Sequence, residues 1–131
     1  MEYVISFIVV GVVFALIDAV WLKSTKAFYS KEFGSMLLPK PKMIPAVIFY
    51  LIYIFGLTVF VSTPALNLNS LQHAVVMGAL YGVVAYSTYD LTNLATLKGW
   101  SSKVTVVDII WGGFVTALST VVAFLIVDGL L

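Results

Sequence analysis

Four long apolar segments follow one another along the chain, and shorter polar stretches separate them. They are Tyr3–Leu22, Ile44–Ser62, Leu71–Leu97 and Val104–Val127. A helix needs roughly 20 mostly apolar residues to cross the hydrocarbon core of a bilayer, and each segment is long enough. The pattern therefore predicts an all-α integral membrane protein. We expect a bundle of four transmembrane helices that forms one domain over residues 1–131.

The first connection, residues 23–43, is the longest of the three. It carries aromatic and aliphatic side chains interleaved with Lys31 and Glu32, and "PKPK" and Pro45 follow. Such interleaving is typical of a helix that lies in the membrane interface, and proline ends a helix. We predict a short interfacial helix in this loop, followed by a turn. An irregular loop is the alternative.

The basic residues predict the orientation in the membrane. All seven are lysines, five in residues 23–43 and two in the connection Lys98–Lys103. The second connection, Thr63–Ser70, has no charged residue. Loops rich in lysine and arginine stay on the cytoplasmic side of a membrane. The first and third connections are therefore expected in the cytoplasm and both termini outside.

Composition agrees with a membrane protein and narrows its chemistry. The chain is 62% hydrophobic and 10% charged, whereas soluble domains average about 45–50% and about 25%. A net charge of +1 without a basic patch argues against nucleic-acid binding. There is no cysteine, and His73 is the only histidine. Thiolate and histidine metal sites are therefore disfavoured, and we expect no metal and no cofactor.

Three aspartates lie inside or at the edge of the predicted helices. They are Asp18, Asp90 and Asp108, and all fall in the half of the membrane nearer the lysines. An ionised aspartate that faces lipid at the membrane centre costs roughly 3 kcal/mol, so such residues normally face the bundle interior. Asp108 has a structural explanation too, because an acid near a helix N-terminus is stabilised by the helix dipole.

Helical spacing places polar and aromatic residues beside these acids. Asp18 and Asp108 are each followed three residues later by a tryptophan, which either reaches the acid or anchors the helix at the lipid headgroups. Asp90 shares a helix face with a tyrosine and an asparagine. We predict one polar cavity open to the cytoplasm, formed by Asp18, Asp90, Asp108, Tyr86, Tyr89, Asn93, Trp21 and Trp111.

The stretch "YSTYDLTNLATLKGWSSKVTVVDIIWGG", Tyr86–Gly113, resembles a bacterial family of small inner-membrane proteins, domain of unknown function 2177. The resemblance extends over nearly the whole chain, beginning at "IDAVWL" in the first helix. It implies a multi-pass protein of the bacterial inner membrane with four spans. It transfers no catalytic residue, and members look to be associated with lipid-modifying genes.

These residues are compatible with three functions. The acids suit a transporter or binding protein for a proton, a cation or an amphiphilic small molecule. The alternatives are a membrane enzyme or accessory subunit in lipid modification, and a structural subunit of a larger membrane complex. The chain has no recognisable pair of nucleophile and base, which argues against an enzyme. The expected partners are membrane lipids and further copies of the chain, because glycine-rich helices pack closely.

Overall fold

The computed structural model describes residues 1–130 and contains four long helices. They are α1, Glu2–Phe33; α2, Met43–Asn67; α3, Leu71–Thr96; and α4, Ser102–Leu130. All four are long and apolar enough to cross a membrane, and the described residues contain no strand. The all-α fold with four candidate spans is therefore confirmed.

Helix α1 continues far beyond the boundary predicted at Leu22. No glycine or proline interrupts residues 12–33, so nothing stops the helix where the apolar segment ends. It ends at Phe33, before Gly34, whose φ of 54° favours glycine. The prediction of a separate interfacial helix is wrong, because residues 23–33 continue α1. One short 3₁₀ turn, Gly34–Met36, begins the remaining connection.

Helix α2 runs past the boundary predicted at Ser62 and contains an irregular turn. Residues Thr58–Ser62 form a π-helical turn, after which the helix continues to Asn67. Pro64 lacks the N–H that would bind the carbonyl of Phe60, and π-turns absorb such defects without ending a helix. Helix α3 has nearly its predicted length, whereas α4 is longer at both ends than Val104–Val127.

Serine side chains begin the last two helices. The Ser70 Oγ accepts a hydrogen bond of 3.0 Å from the backbone N–H of His73. The Ser101 Oγ accepts one of 3.1 Å from the backbone N–H of Val104, and its hydroxyl donates to Glu32 at 2.6 Å. Serine at these positions satisfies N–H groups that lack a partner within the helix. Ser101 also links the end of α1 to the start of α4.

The burial pattern of α1 is the reverse of that in a soluble protein. Its inner face includes the buried polar residues Ser6 and Asp18. Its outer face exposes Val12, Leu16 and Val20, which are 54%, 65% and 67% accessible. A surface helix of a soluble protein places polar side chains outward and apolar ones inward. An apolar exterior around polar interior residues is the arrangement expected in lipid.

Helices α3 and α4 pack more closely than any other pair in the bundle. A methyl group on Gly82 would overlap the backbone carbonyl of Gly112, and one on Gly112 would overlap the ring of Tyr86. A methyl group on Gly78 would lie 3.1 Å from the Cα of Ala117. Small residues allow such close approach between membrane helices. These glycines therefore pack helices of the same chain.

The bundle is closed around the π-helical turn and opens toward the lysines. The turn contacts α1, α3 and α4, whereas the first part of α2, Met43–Leu57, has few contacts with the rest. The Tyr53 hydroxyl is hydrogen-bonded to Thr116, and the Tyr81 hydroxyl donates to the Tyr53 carbonyl at 2.9 Å. These bonds close the bundle at mid-height and leave a cavity on the lysine side.

Candidate functional site

A cavity of about 830 Å³ lies at the lysine-bearing end of the bundle. All four helices contribute to its wall, and Leu37, Leu38 and Pro39 of the first connection cover one side. Its volume falls in the range of small-molecule sites, about 300–1,000 Å³. Two carboxylates, Asp18 and Asp108, line it.

Asp18 faces inward from α1 and is held by donors on two other helices. The side chain is 7% exposed. It accepts a hydrogen bond of 2.7 Å from the Tyr50 hydroxyl and one of 3.4 Å from the indole N–H of Trp111. A buried carboxylate is tolerated when hydrogen bonds replace its lost hydration. Asp18 thus connects α1, α2 and α4.

The tryptophans that follow the two acids form one stacked pair. The rings of Trp21 and Trp111 lie 4.1 Å apart between centroids, with an interplanar angle of 7°. The indole N–H of Trp21 donates to the Tyr29 hydroxyl at 3.3 Å, and that of Trp111 donates to Asp18. Both rings line the cavity. Neither indole bonds to the acid that precedes it on its own helix: Trp111 reaches Asp18 of α1, and Trp21 bonds to a tyrosine.

Asp108 is half-buried and accepts a hydrogen bond of 2.5 Å from the Tyr29 hydroxyl on its Oδ1. Because α4 begins at Ser102, Asp108 lies beyond the first helical turn. The helix dipole acts mainly within that turn, so the dipole explanation does not account for this residue. Its surroundings indicate a cavity residue that is tied to the extended part of α1.

Asp90 is the one acid that lies behind the cavity wall. Its side chain is fully buried, and it does not line the cavity. Its carboxyl group lies close enough to that of Asp108 for their charges to interact. Neither of its oxygens accepts a hydrogen bond from a described residue. The structure thus brings Asp18 and Asp108 to one open space and leaves Asp90, which was predicted to line the same cavity, behind its wall.

The other predicted site residues also divide into those that line the cavity and one that does not. Tyr86 and Tyr89 line the cavity, and the ring of Tyr89 meets that of Trp100 edge-on at 5.5 Å. Asn93 is half-buried and lies outside the cavity lining. The structure therefore does not place Asn93 with the others.

The lining residues that were absent from the predicted site include Lys26, Tyr29 and Tyr50. The first two belong to the part of α1 that was predicted as a loop. The spacing of Trp21, Thr25 and Tyr29 at intervals of four was a signal that the helix continues. Nothing in the pattern singled out Tyr50 from Tyr53, the other tyrosine of the second apolar segment.

Two smaller grooves reach the same acids along the sides of α2. One, of about 330 Å³, lies between α2 and α3 and is lined by Phe49, Ala85 and Asp108, among others. The second, of about 210 Å³, lies between α1 and α2 and reaches Asp18. Tyr50 lines both grooves and the main cavity. The acids are thus approached from the lysine end and from the lateral surface.

The cavity combines negative charge with aromatic surface. The bonded donors to Asp18 and Asp108 are neutral phenols and an indole, and no lysine hydrogen-bonds either acid. The faces of aromatic rings attract cations. The arrangement is therefore suited to a positively charged group that carries an apolar portion.

Fold and site together define a multi-pass membrane protein with four spans and an internal acidic and aromatic cavity. The chain belongs to the family described as "Predicted membrane protein (DUF2177)", whose model matches residues 3–125. This confirms the resemblance found in the sequence. No curated protein and no solved structure gives a significant match.

Proposed function

We propose that this protein binds an organic cation with an apolar portion, as a small transporter or binding protein of the bacterial inner membrane. The observation that supports this most is the pairing of Asp18 and Asp108 in one cavity walled by aromatic rings. By the positive-inside rule, the lysine-bearing end and the cavity mouth face the cytoplasm. Both termini then lie outside.

Charge supplies the selectivity of such a site. A unit positive charge about 4 Å from a carboxylate gains about 4 kcal/mol at the effective dielectric constant near a protein surface. The rings of Trp21, Trp111 and Tyr86 add roughly 0.5–2 kcal/mol where they face the charge. The wall carries two carboxylates against one lysine, Lys26, so its charge disfavours an anion, and a neutral molecule would gain neither attraction.

The apolar portion of the ligand fits the lateral grooves. Phe49, Ala85 and Tyr86 line the groove between α2 and α3, which leads directly to Asp108. The part of α2 beside it has few contacts with the bundle. An amphiphilic molecule can therefore keep its tail at the membrane side while its charged group reaches the acids.

Binding of matched ligands tests the proposal. The protein is reconstituted in nanodiscs of zwitterionic lipid and titrated with hexyltrimethylammonium, hexanol and hexanoate, with empty nanodiscs as the reference. We expect the cation alone to bind, detected by calorimetry and by a change in tryptophan fluorescence from the stacked pair. Equal binding of the neutral or anionic molecule would contradict the proposal.

Substitution of the acids locates the site. Asp18→Asn and Asp108→Asn should each weaken cation binding at least tenfold, equivalent to about 1.4 kcal/mol, because each removes a charge from the wall. The matched control is Asp128→Asn, since Asp128 is exposed near the opposite end of α4. Flux of the cation into proteoliposomes then separates a transporter from a binding protein.

A further inference from the structure

Asp90 differs from the two acids of the cavity wall because nothing in its surroundings compensates a negative charge. Its side chain is 0% exposed, and neither oxygen accepts a hydrogen bond from a described residue. An ionised carboxylate buried without a donor or an opposite charge is strongly disfavoured. The carboxyl group therefore needs a partner or a proton.

The packing of α3 on α4 supplies another acid as that partner. The two helices are antiparallel, and both Gly82 and Tyr86 of α3 lie against Gly112 of α4. One further turn along α3 and one turn back along α4 brings Asp90 to Asp108. This register places the two carboxyl groups close enough for their charges to interact. Two neighbouring carboxylates in a site of low dielectric constant cannot both be ionised without a large cost.

Other ionisable groups around the pair are mainly neutral phenols. Tyr29 of α1 donates to Asp108, and Tyr89 of α3 lies on the same cavity wall. The remaining ionisable groups on the cavity wall are Asp18 and Lys26 of α1, Tyr50 of α2 and Tyr86 of α3. Lys103 of α4 is exposed to solvent. Lys26 donates no hydrogen bond to either acid of the pair.

We infer that Asp90 and Asp108 form a proton site, in which one proton lies between the two carboxyl groups and is displaced when an organic cation binds against Asp108. The displacement step rests on the proposed function. One proton leaves the pair for the water of the cavity, and one positive charge takes its place. The net charge of the site is then the same before and after exchange. Asp108 is the shared group because it borders both the cavity and Asp90.

Exchange makes binding depend on pH in a defined direction. The free protein holds one proton more than the complex, so a rise in pH favours the complex. Affinity for the cation should increase by about tenfold per pH unit over the range in which the free pair holds its proton.

Calorimetry in two buffers of different ionisation enthalpy measures the exchange. For hexyltrimethylammonium and the unmodified protein in nanodiscs, we expect about one proton released per cation bound. In Asp90→Asn the amide occupies the place of the protonated acid, so release should vanish and the affinity should lose its pH dependence. Asp128→Asn is the control and should release a proton as the unmodified protein does.

Infrared spectroscopy tests the proton without any ligand. The protonated carboxyl band should be present in the ligand-free protein and absent from Asp90→Asn. In Asp108→Asn the buried Asp90 still has no compensating charge, so the band should remain and shift in frequency because its neighbour has changed, and thermal unfolding shows that each variant is folded.

The outcomes separate the two proposals. Cation binding without proton release, or release that persists in Asp90→Asn, overturns the exchange and leaves the proposed function standing. If the cation does not bind at all, the proposed function and the exchange both fail. In that case the infrared band still tests the proton site independently of the ligand. Its absence from the unmodified protein would overturn that site.

Discussion

At the scale of single residues, aromatic donors make acids tolerable inside this bundle. Asp18 receives hydrogen bonds from Tyr50 and Trp111, and Asp108 receives one from Tyr29. These donors are neutral, so they do not cancel the charge of an acid, whereas a lysine bonded in the same place would. The charge of the cavity therefore follows from the choice of phenol and indole partners.

Tyr29→Phe tests the hydrogen bond that Asp108 receives from the part of α1 beyond its apolar segment. The change removes the donor to Asp108 and the acceptor of the Trp21 indole N–H. Leaving such groups without partners should cost about 1–3 kcal/mol of stability. Thermal unfolding in detergent is the measurement. Tyr3→Phe is the control, because Tyr3 is 53% exposed and should tolerate the change.

At the scale of helices, α3 and α4 form the most closely packed pair, and α2 has grooves on both sides. Gly82 and Gly112 allow α3 and α4 to touch, and this contact sets the register that brings Asp90 to Asp108. Tyr50 and Tyr53 tie the first part of α2 to the bundle, and the grooves on its two sides open on the same acids. These grooves are consistent with ligand entry along α2.

Gly82→Ala should disrupt the close contact. The added methyl group would overlap the backbone carbonyl of Gly112, which cannot move without shifting α4. Overpacking of this kind costs roughly 1–3 kcal/mol. The melting temperature in detergent should fall clearly, whereas Gly129→Ala should have little effect, because a methyl group there meets no atom within 4 Å. Similar melting temperatures for both variants would show that the register does not depend on Gly82.

At the scale of the whole molecule, the lysines and the cavity lie at one end of the bundle. Lysines occur in the last turns of α1, in both connections at that end and at the start of α4. The other end, where the chain begins and where Asn67 leads to Leu71, has none. This asymmetry favours a single orientation in the membrane.

Cysteine labelling tests that orientation, and the chain has no cysteine of its own to interfere. Ser102→Cys marks the lysine-bearing end and Gln72→Cys the opposite end, and both positions are exposed. In intact cells, an impermeant maleimide should label Gln72→Cys and should reach Ser102→Cys only after the membrane is made permeable. The reverse pattern would show that the cavity opens outside the cell.

The sequence by itself determined the class of the protein, the number of helices and the grouping of the acids near one end. Apolar length sets the number of spans because hydrocarbon excludes unpaired backbone groups. Helical periodicity puts Asp18 and Asp90 on inward faces because lipid disfavours charge. These are local or one-dimensional effects, so they can be read without knowing the neighbours of a residue.

Tertiary structure decided the helix ends and the partners of each acid. Apolar length marks where the membrane ends, whereas Gly34 ends α1, so the contribution of Tyr29 to the cavity escaped prediction. The register between α3 and α4 rests on glycine contacts between distant parts of the chain, and it buries Asp90 while leaving Asp108 in the open wall. Such pairings depend on the rotation and height of one helix against another, which periodicity within a single helix does not specify.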